Sequence, residues 1–397
     1  MSSTTHTRVV IAGAGPAGLT LGNLLQQRDV PCVIVDKFTR EQLLGRTRAG
    51  LLEYRTVETF KRMGLAKRLL AEGHRHSGCE FRSDGRAFYT DISEYYDGRS
   101  HHVFPQQEVV ADLLDGFIDA GGDIRLGVSA DELQFDADGV RLVCSDGSVL
   151  TGEFLAGANG QHGLARGSTP AGAITEYEMQ HEFQWLTLQA EAPPSAEHTI
   201  YAQHERGFAG HLLRSDTVTR FHLQVPPGDV VESWPDERIW DELRARLEKP
   251  GWTLNEGPIF SKNMLDMRSR VAEPMQYGRV FLLGDAAHTI SPSGGKGLNL
   301  AVADAVELDR VLREFDSAGG GDDSVLQAYS ERRVPDVWRA QEFSHALLHM
   351  MHTYPAGEPD AAFRQRLQQS RLWQLANAEA YATSFAHSYI GPLPVED

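Results

Sequence analysis

The sequence predicts an α/β chain of α+β layout, in which a doubly wound unit is interrupted by a mixed β-sheet and closed by a helical region. Three observations carry this. A glycine-rich run, Gly13-Ala14-Gly15-Pro16-Ala17-Gly18, lies between a short apolar strand and a helical run. Residues 175–275 alternate apolar and polar side chains with a period of two, the mark of half-buried strands. After an apolar strand at 280–283 and a second glycine cluster, the pattern turns helical and stays so to about residue 385.

Taken in order, Val9-Val10-Ile11-Ala12 forms a strand and Leu19-Thr20-Leu21-Gly22-Asn23-Leu24-Leu25 a helix. Between them Gly13 permits a tight turn, Gly15 lets backbone approach a pyrophosphate, and Gly18 permits close packing of helix on strand. Asp36 ends the next strand, Cys32-Val33-Ile34-Val35, where a carboxylate accepts from an adenosine ribose. This is a Rossmann-like unit with its helix N-terminus facing the phosphates. A helix is expected over residues 51–63, and another after Gln106, where Val109, Val110, Leu113, Leu114, Phe117 and Ile118 repeat at helical spacing. Two strand pairs follow, turned at Asp138-Gly139 and Asp146-Gly147, and then strand 154–158 leads into Asn159-Gly160.

The strand-rich stretch from 175 to 275 holds one helix near 237–247 and reads as a mixed sheet laid over a cofactor. The chain then returns at 280–283 and delivers Gly284-Asp285-Ala286-Ala287-His288, whose carboxylate accepts from ribityl hydroxyls. Next, Pro292-Ser293-Gly294-Gly295-Lys296-Gly297-Leu298-Asn299 opens a helix over 298–315, its positive end directed at a flavin ring. The two glycine motifs together indicate FAD. The expected division is a first FAD-binding part at 1–174, a substrate sheet at 175–275, and a returning FAD segment with C-terminal interface helices at 276–397.

Composition narrows the partners. With 397 residues and 41% hydrophobic content the chain has ample core, and a net charge of −17 disfavours nucleic acid and anionic membrane. No apolar run is long enough to span a bilayer, and the first residues lack the basic and apolar regions of a secretory signal, so a cytoplasmic protein is expected. Cys32, Cys79 and Cys144 are odd in number and widely spaced, which argues against disulfides and against a zinc site. No metal is expected. Cys32 and Cys144 read as buried strand residues.

The chain resembles the group A flavoprotein aromatic monooxygenases, and within them the para-hydroxybenzoate hydroxylase type, over essentially its whole length. The carrying segments are the two glycine motifs, Leu44-Gly45-Arg46-Thr47-Arg48-Ala49-Gly50, Ile200-Tyr201-Ala202-Gln203-His204-Glu205-Arg206-Gly207-Phe208-Ala209, Glu273-Pro274-Met275-Gln276, Lys296-Gly297-Leu298-Asn299 and Tyr389-Ile390-Gly391. The resemblance implies that NADPH or NADH reduces FAD, that O2 is then consumed, and that an aromatic ring is hydroxylated. The substrate phenol must lose a proton in a dry site. By resemblance Tyr201 receives it, Tyr389 relays it, and His76 passes it towards solvent. Arg48 and Gln106 match FAD-contacting positions, joined by Gly13, Gly15, Gly18, Asp36, Asp285, Gly297, Leu298 and Asn299. Arg46, His162 and Arg268 match positions that hold the nicotinamide cofactor. Pro292 supplies a backbone carbonyl to the substrate hydroxyl, with Ser293 beside it, and Arg214 pairs with the substrate carboxylate. A homodimer is implied as well.

Three departures bear on specificity. Where the family places a serine and a tyrosine hydroxyl on the carboxylate, this chain has Leu212 and His222, and where it carries Asp-Gly this chain has Asn159-Gly160. Leu212 offers an apolar edge, and His222 donates to a carboxylate or accepts from an amino or hydroxyl group. The substrate expected is therefore a substituted para-hydroxybenzoate such as 3-amino-4-hydroxybenzoate, with 4-hydroxybenzoate itself as the alternative. An oxidase-like or amine-oxygenating flavoenzyme is a further alternative. Lys37 after Asp36 suits a 2′-phosphate and points to NADPH, while Phe38 and Gln42 leave NADH open.

Overall fold

The structure is a computed structural model and describes residues 4–46, 48, 50–354 and 357–392. Its first sheet has six strands in the order Gln276–Tyr277, Val280–Leu282, Phe154–Gly157, Val9–Ala12, Cys32–Asp36 and Asp123–Leu126. All neighbours run parallel except the first pair, which is antiparallel. The strand Val9–Ala12 is buried throughout, which explains a run of apolar residues without alternation. Helix Pro16–Gln26 lies against helices Gly297–Ser317 and Gln106–Asp119, so segments far apart in sequence close one Rossmann-like layer.

The second large sheet has eight strands: His288–Thr289, Ile259–Glu273, Thr175–Ala190, Thr219–Val225, Ala209–Leu213, Thr199–Gln203, Gly78–Ser83 and Arg86–Asp91. It is mixed, because Thr199–Gln203 runs parallel to Gly78–Ser83 while its other pairings are antiparallel. Two of its strands thus come from residues 78–91, well before the expected substrate segment.

Strand alternation assigns the two faces of this sheet to different partners. Leu186, Leu188, Ile200, Phe221 and Leu223 pack with Trp240 and Leu243 of helix Asp236–Arg246. Phe183, Trp185, Tyr201 and Phe208 point the other way, into a cluster with Phe343, Leu347, Phe385 and Tyr389 from the C-terminal helices. The helices Ala328–Met351, Ala361–Asn377 and Glu379–Ile390 therefore roof the face that carries Tyr201.

Several local expectations are corrected. Residues 51–63 are not one helix: Leu51–Leu52 pairs with His101–Val103 as a strand, and the helix is Tyr54–Arg62. The last helix runs to Ile390, which places Tyr389 on a rigid element. Cys32 is only half-buried, with its burial pushing the thiol up to about 12, whereas Cys79 and Cys144 are buried. The turns at Gly139 and Gly147 and the break between Ser317 and Asp323 fall where the sequence places them.

Candidate active site

The glycine turn fits a pyrophosphate. Gly13 adopts a φ of +118°, and a Cβ there would lie 2.3 Å from the Ala158 carbonyl oxygen. A Cβ on Gly18 would lie 1.9 Å from the Gly13 oxygen, whereas one on Gly15 would meet nothing within 4 Å. The first and third glycines thus serve packing, and the middle one borders open space that leaves its backbone accessible. Gly15 caps helix Pro16–Gln26 without any side-chain hydrogen bond, so the helix N-terminus keeps free N–H groups for an anion. Asp36 accepts from Ala14 N at 2.7 Å and Phe38 N at 2.8 Å, which fixes its carboxylate over the turn. Lys37 and Arg46 both lie over the Phe38 ring.

The second cofactor segment is held from behind. Asp304 accepts from Gly284 N at 2.9 Å and Arg333 Nε at 2.8 Å, and pairs with His288 Nε2 at 2.7 Å, all buried. Burial raises the Asp304 carboxyl, but His288, Arg333 and the Gly284 N–H together hold it below its ordinary range. Asp285, exposed, meets Arg48 Nη1 at 3.2 Å. Thr47 and Ala49 of the arginine segment lie outside the described residues. Gln106 opens helix Gln106–Asp119.

Helix Gly297–Ser317 starts beside Leu298 with no side-chain cap, leaving its N–H groups available. Asn299 is occupied within the protein: its Oδ1 accepts from Glu53 N and Thr56 Oγ1, both at 2.8 Å, and its Nδ2 donates to Leu51 and Gly295 carbonyls. Lys296, buried, donates to Glu53 Oε1 at 2.8 Å and to the Tyr389 carbonyl at 2.5 Å. Burial lowers the Lys296 ammonium, and Glu53 opposes this.

The three residues expected to form a proton relay come together. The Tyr201 hydroxyl donates to the Ser293 carbonyl at 3.3 Å and interacts with Tyr389, whose hydroxyl lies 3.3 Å from His76 Nε2. Cys79, which the sequence left without a role, donates its thiol to the Tyr389 hydroxyl at 3.5 Å. Burial pushes Tyr201 and Tyr389 well above the ordinary tyrosine range and the Cys79 thiol up to about 12. His76, expected to pass the proton towards solvent, is 3% exposed, and burial pushes it down to about 4, so it is neutral at pH 7 and does not itself reach solvent. His101 stands next to it, with ring centroids 5.9 Å apart.

Pro292 sits in a short turn in which its carbonyl accepts from Gly295 N at 3.0 Å. The Ser293 hydroxyl donates to the Ser344 carbonyl at 2.7 Å, so it is the backbone of Ser293, not its side chain, that faces Tyr201.

Arg214, just past strand Ala209–Leu213, is 7% exposed and donates from Nη2 to the Arg48 carbonyl at 2.6 Å and Gln107 Oε1 at 3.2 Å. Among the described residues no carboxylate pairs with it. Burial, reinforced by Arg220, pushes its guanidinium down to about 10, still cationic at neutral pH. Arg220 lies across from Leu212 in the ladder, and its buried Nε and Nη1 have no partner among the described residues. Sequence reasoning passed over Arg220, although it lies two residues before His222 and so shares its face. His222 is 7% exposed, stacks on Trp185 with centroids 4.4 Å apart, and leaves Nδ1 buried without a partner. Burial, Arg220 and His352 hold it well below the ordinary histidine range. Trp185 donates to His352 Nε2 at 2.5 Å, and His352 stacks on Phe208, completing an aromatic wall.

Of the positions expected to serve the nicotinamide cofactor, His162 and Arg268 are exposed, and Asn159 leaves Oδ1 buried without a partner among the described residues. Arg166 donates to the Ala286 and Gln161 carbonyls, and Arg270 to those of Gln161 and Asp285. The sequence had not singled out either arginine.

Comparison with known proteins shows the family. Residues 6–344 match the family described as FAD binding domain. The chain is 36% identical to p-hydroxybenzoate hydroxylase of Acinetobacter baylyi over 403 residues, covering 99% of this chain and 97% of that one. It is 28% identical to rifampicin monooxygenase of Streptomyces venezuelae, over 87% of this chain and 72% of that one. In fold it matches p-nitrophenol 4-monooxygenase PnpA of Pseudomonas putida with a TM-score of 0.81 at 20% identity, covering 98% and 97% of the two chains. The chain belongs to the FAD-binding flavoprotein monooxygenases of group A. Within them it is an FAD-dependent aromatic hydroxylase of the p-hydroxybenzoate hydroxylase type.

Proposed function

We propose that this enzyme hydroxylates a substituted para-hydroxybenzoate, such as 3-amino-4-hydroxybenzoate, at the expense of NADPH or NADH and of O2. The observation that carries the reading is the pair Arg214 and His222: a buried guanidinium served only by neutral acceptors and, on the neighbouring strand, a buried imidazole with an orphaned nitrogen. A buried cation without an anion is costly, and an aromatic carboxylate removes that cost. His222, held neutral, donates from one nitrogen and accepts at the other, which suits an amino or hydroxyl substituent better than a second anion contact. Leu212 withholds the donor that relatives place there.

Bound FAD supplies the redox chemistry and the activation of oxygen. The residues of this chain bind, orient and deprotonate the substrate. Arg214 holds the carboxylate, the Pro292 turn lies beside the phenol, and Trp185 and Phe208 exclude water. A tyrosine whose own proton is hard to remove cannot act as a free base, so Tyr201 takes the phenol proton only as it hands its own to Tyr389. His76, neutral and next in line, receives it briefly and must pass it on through its surroundings. Gly13, Gly15, Gly18, Asp36, Arg48, Gln106, Asp285, Gly297, Leu298 and Asn299 form the proposed FAD cradle, and Lys37, Arg46, Asn159, His162 and Arg268 the nicotinamide side. The domain division at 1–174, 175–275 and 276–397 belongs to the same reading, with residues 78–91 lent to the substrate sheet. A homodimer is supported by the exposed Phe363, Leu367 and Trp373 on helix Ala361–Asn377.

The test is a panel of hydroxy- and aminobenzoates scored for both NAD(P)H consumption and oxygenated product. Tight coupling with an amino-substituted hydroxybenzoate and uncoupling with 4-hydroxybenzoate are expected. Tight coupling with 4-hydroxybenzoate would instead establish it as the substrate, and reductant consumption yielding only hydrogen peroxide with every compound would refute ring hydroxylation.

A further inference from the structure

Away from the FAD cradle, three histidines converge where helix Ala328–Met351 packs on strand Thr175–Ala190. His345 and His349 stand one helical turn apart, with ring centroids 4.1 Å from each other. His181 of the strand faces both, at 5.6 Å and 6.2 Å between centroids. One nitrogen from each ring lies within 4.8 Å of the others. Tetrahedral zinc with nitrogen ligands places its donors about 3.3 Å apart, so small side-chain rotations would close this set.

The hydrogen bonding of the rings is a second, separate observation. His181 is 6% exposed, pairs through Nε2 with Ser269 Oγ at 2.9 Å, and leaves Nδ1 buried with no partner. His349 pairs through Nδ1 with the Tyr354 hydroxyl at 2.5 Å, which leaves its Nε2 over. One ring nitrogen anchored by a neighbour and the other spare is the arrangement by which proteins orient metal-bound imidazoles.

We propose that His181, His345 and His349 bind one divalent transition-metal ion, with water completing its coordination. Three imidazoles without thiolate or carboxylate favour zinc, nickel or copper over magnesium or calcium. Glu342 assists a cation at His345, while Arg364 and Arg371 oppose it, which limits the affinity. The ion would tie the substrate sheet to its helical roof. One turn further along the helix axis, His352 stacks on Phe208 and receives the Trp185 hydrogen bond, so the ion would also stiffen the aromatic wall. The expectation of no metal came from the cysteines; these histidines are distant in sequence and only the fold assembles them.

The experiment uses the FAD-loaded protein, freed of metal with a chelator and titrated calorimetrically with zinc sulfate alone, then with magnesium. One zinc per chain is expected, with a raised thermal midpoint and no binding of magnesium. His345→Asn and His349→Asn should each weaken zinc by about 30-fold or more, and His6→Asn, an exposed control, should not. Unchanged flavin content and absorbance certify that each variant is folded; His345 is half-buried and has no side-chain hydrogen bond among the described residues, so it is the safer of the two. Zinc binding that survives both substitutions, equal binding of magnesium, or no binding at all would overturn the assignment.

Discussion

Replacing Arg214 with glutamine removes the charge while keeping a polar side chain at the site, and FAD content read in parallel separates the effect on binding from the effect on folding. In the folded protein the guanidinium is already desolvated, which is why burial pushes it down to about 10. A substrate carboxylate therefore meets a cation whose dehydration does not count against binding. Hydrogen bonds to charged groups contribute about 1.5–3 kcal/mol each, and truncating one partner of a buried charged pair costs about 2–5 kcal/mol. With Nη2 already shared between Arg48 and Gln107, a loss of about 3 kcal/mol is the expectation, or about 150-fold in Kd. The assay is a titration followed by the flavin spectrum, with 4-hydroxybenzoate and its neutral amide in parallel. The wild type should prefer the carboxylate strongly and Arg214→Gln should bind the two alike. A variant with full FAD content that binds the carboxylate within about threefold of wild type, a gap of under 1 kcal/mol, would refute the assignment of Arg214.

Further outcomes follow from the same geometry. Gly15→Ala should leave the thermal midpoint of the apoprotein nearly unchanged but weaken FAD, whereas Gly18→Ala, with a Cβ 1.9 Å from the Gly13 oxygen, should destabilise the fold itself; equal effects in both measurements would contradict the distinct roles. Tyr389→Phe should raise the apparent pKa of the bound substrate phenol, read from its absorbance, and slow hydroxylation while FAD reduction persists, and an unshifted titration would remove Tyr389 from the relay. Leu212→Ser with His222→Tyr should raise coupled turnover of 4-hydroxybenzoate, measured as product per NAD(P)H; no gain would show that these positions do not set specificity. Buried His76 and His211 are pushed down to about 4 and His352 to about 3, below the unfolded value near 6.5. The unfolded chain binds more protons in that window, so stability present above pH 6.5 is lost as pH falls towards 4, at about 1.4 kcal/mol per pH unit for each histidine. Denaturant midpoints that stay flat from pH 6.5 to 4.5 would count against their burial.

Local rules made the dinucleotide unit readable from the chain alone. A buried parallel strand has to be apolar along its length, a turn at φ +118° favours glycine, and the Gly13–Gly18 approach leaves no room for a Cβ, so residues 9–36 carry their geometry in their composition. The turns at Gly139 and Gly147 and the helix Gln106–Asp119 were readable for the same kind of reason. Leu51–Leu52 was not, because two apolar residues suit a helix equally well and only their pairing with His101–Val103 decides. Tyr201, Tyr389 and Arg214 were singled out through resemblance and not through any local pattern. Tertiary structure alone decided that His76 is buried and neutral, that Cys79 joins the tyrosines, that Asp304, His288 and Arg333 brace Gly284, and that His181 meets His345 and His349. Burial and charge pairing are sums over neighbours from distant segments, and those sums exist only once the eight-stranded sheet and its helical roof have closed on each other.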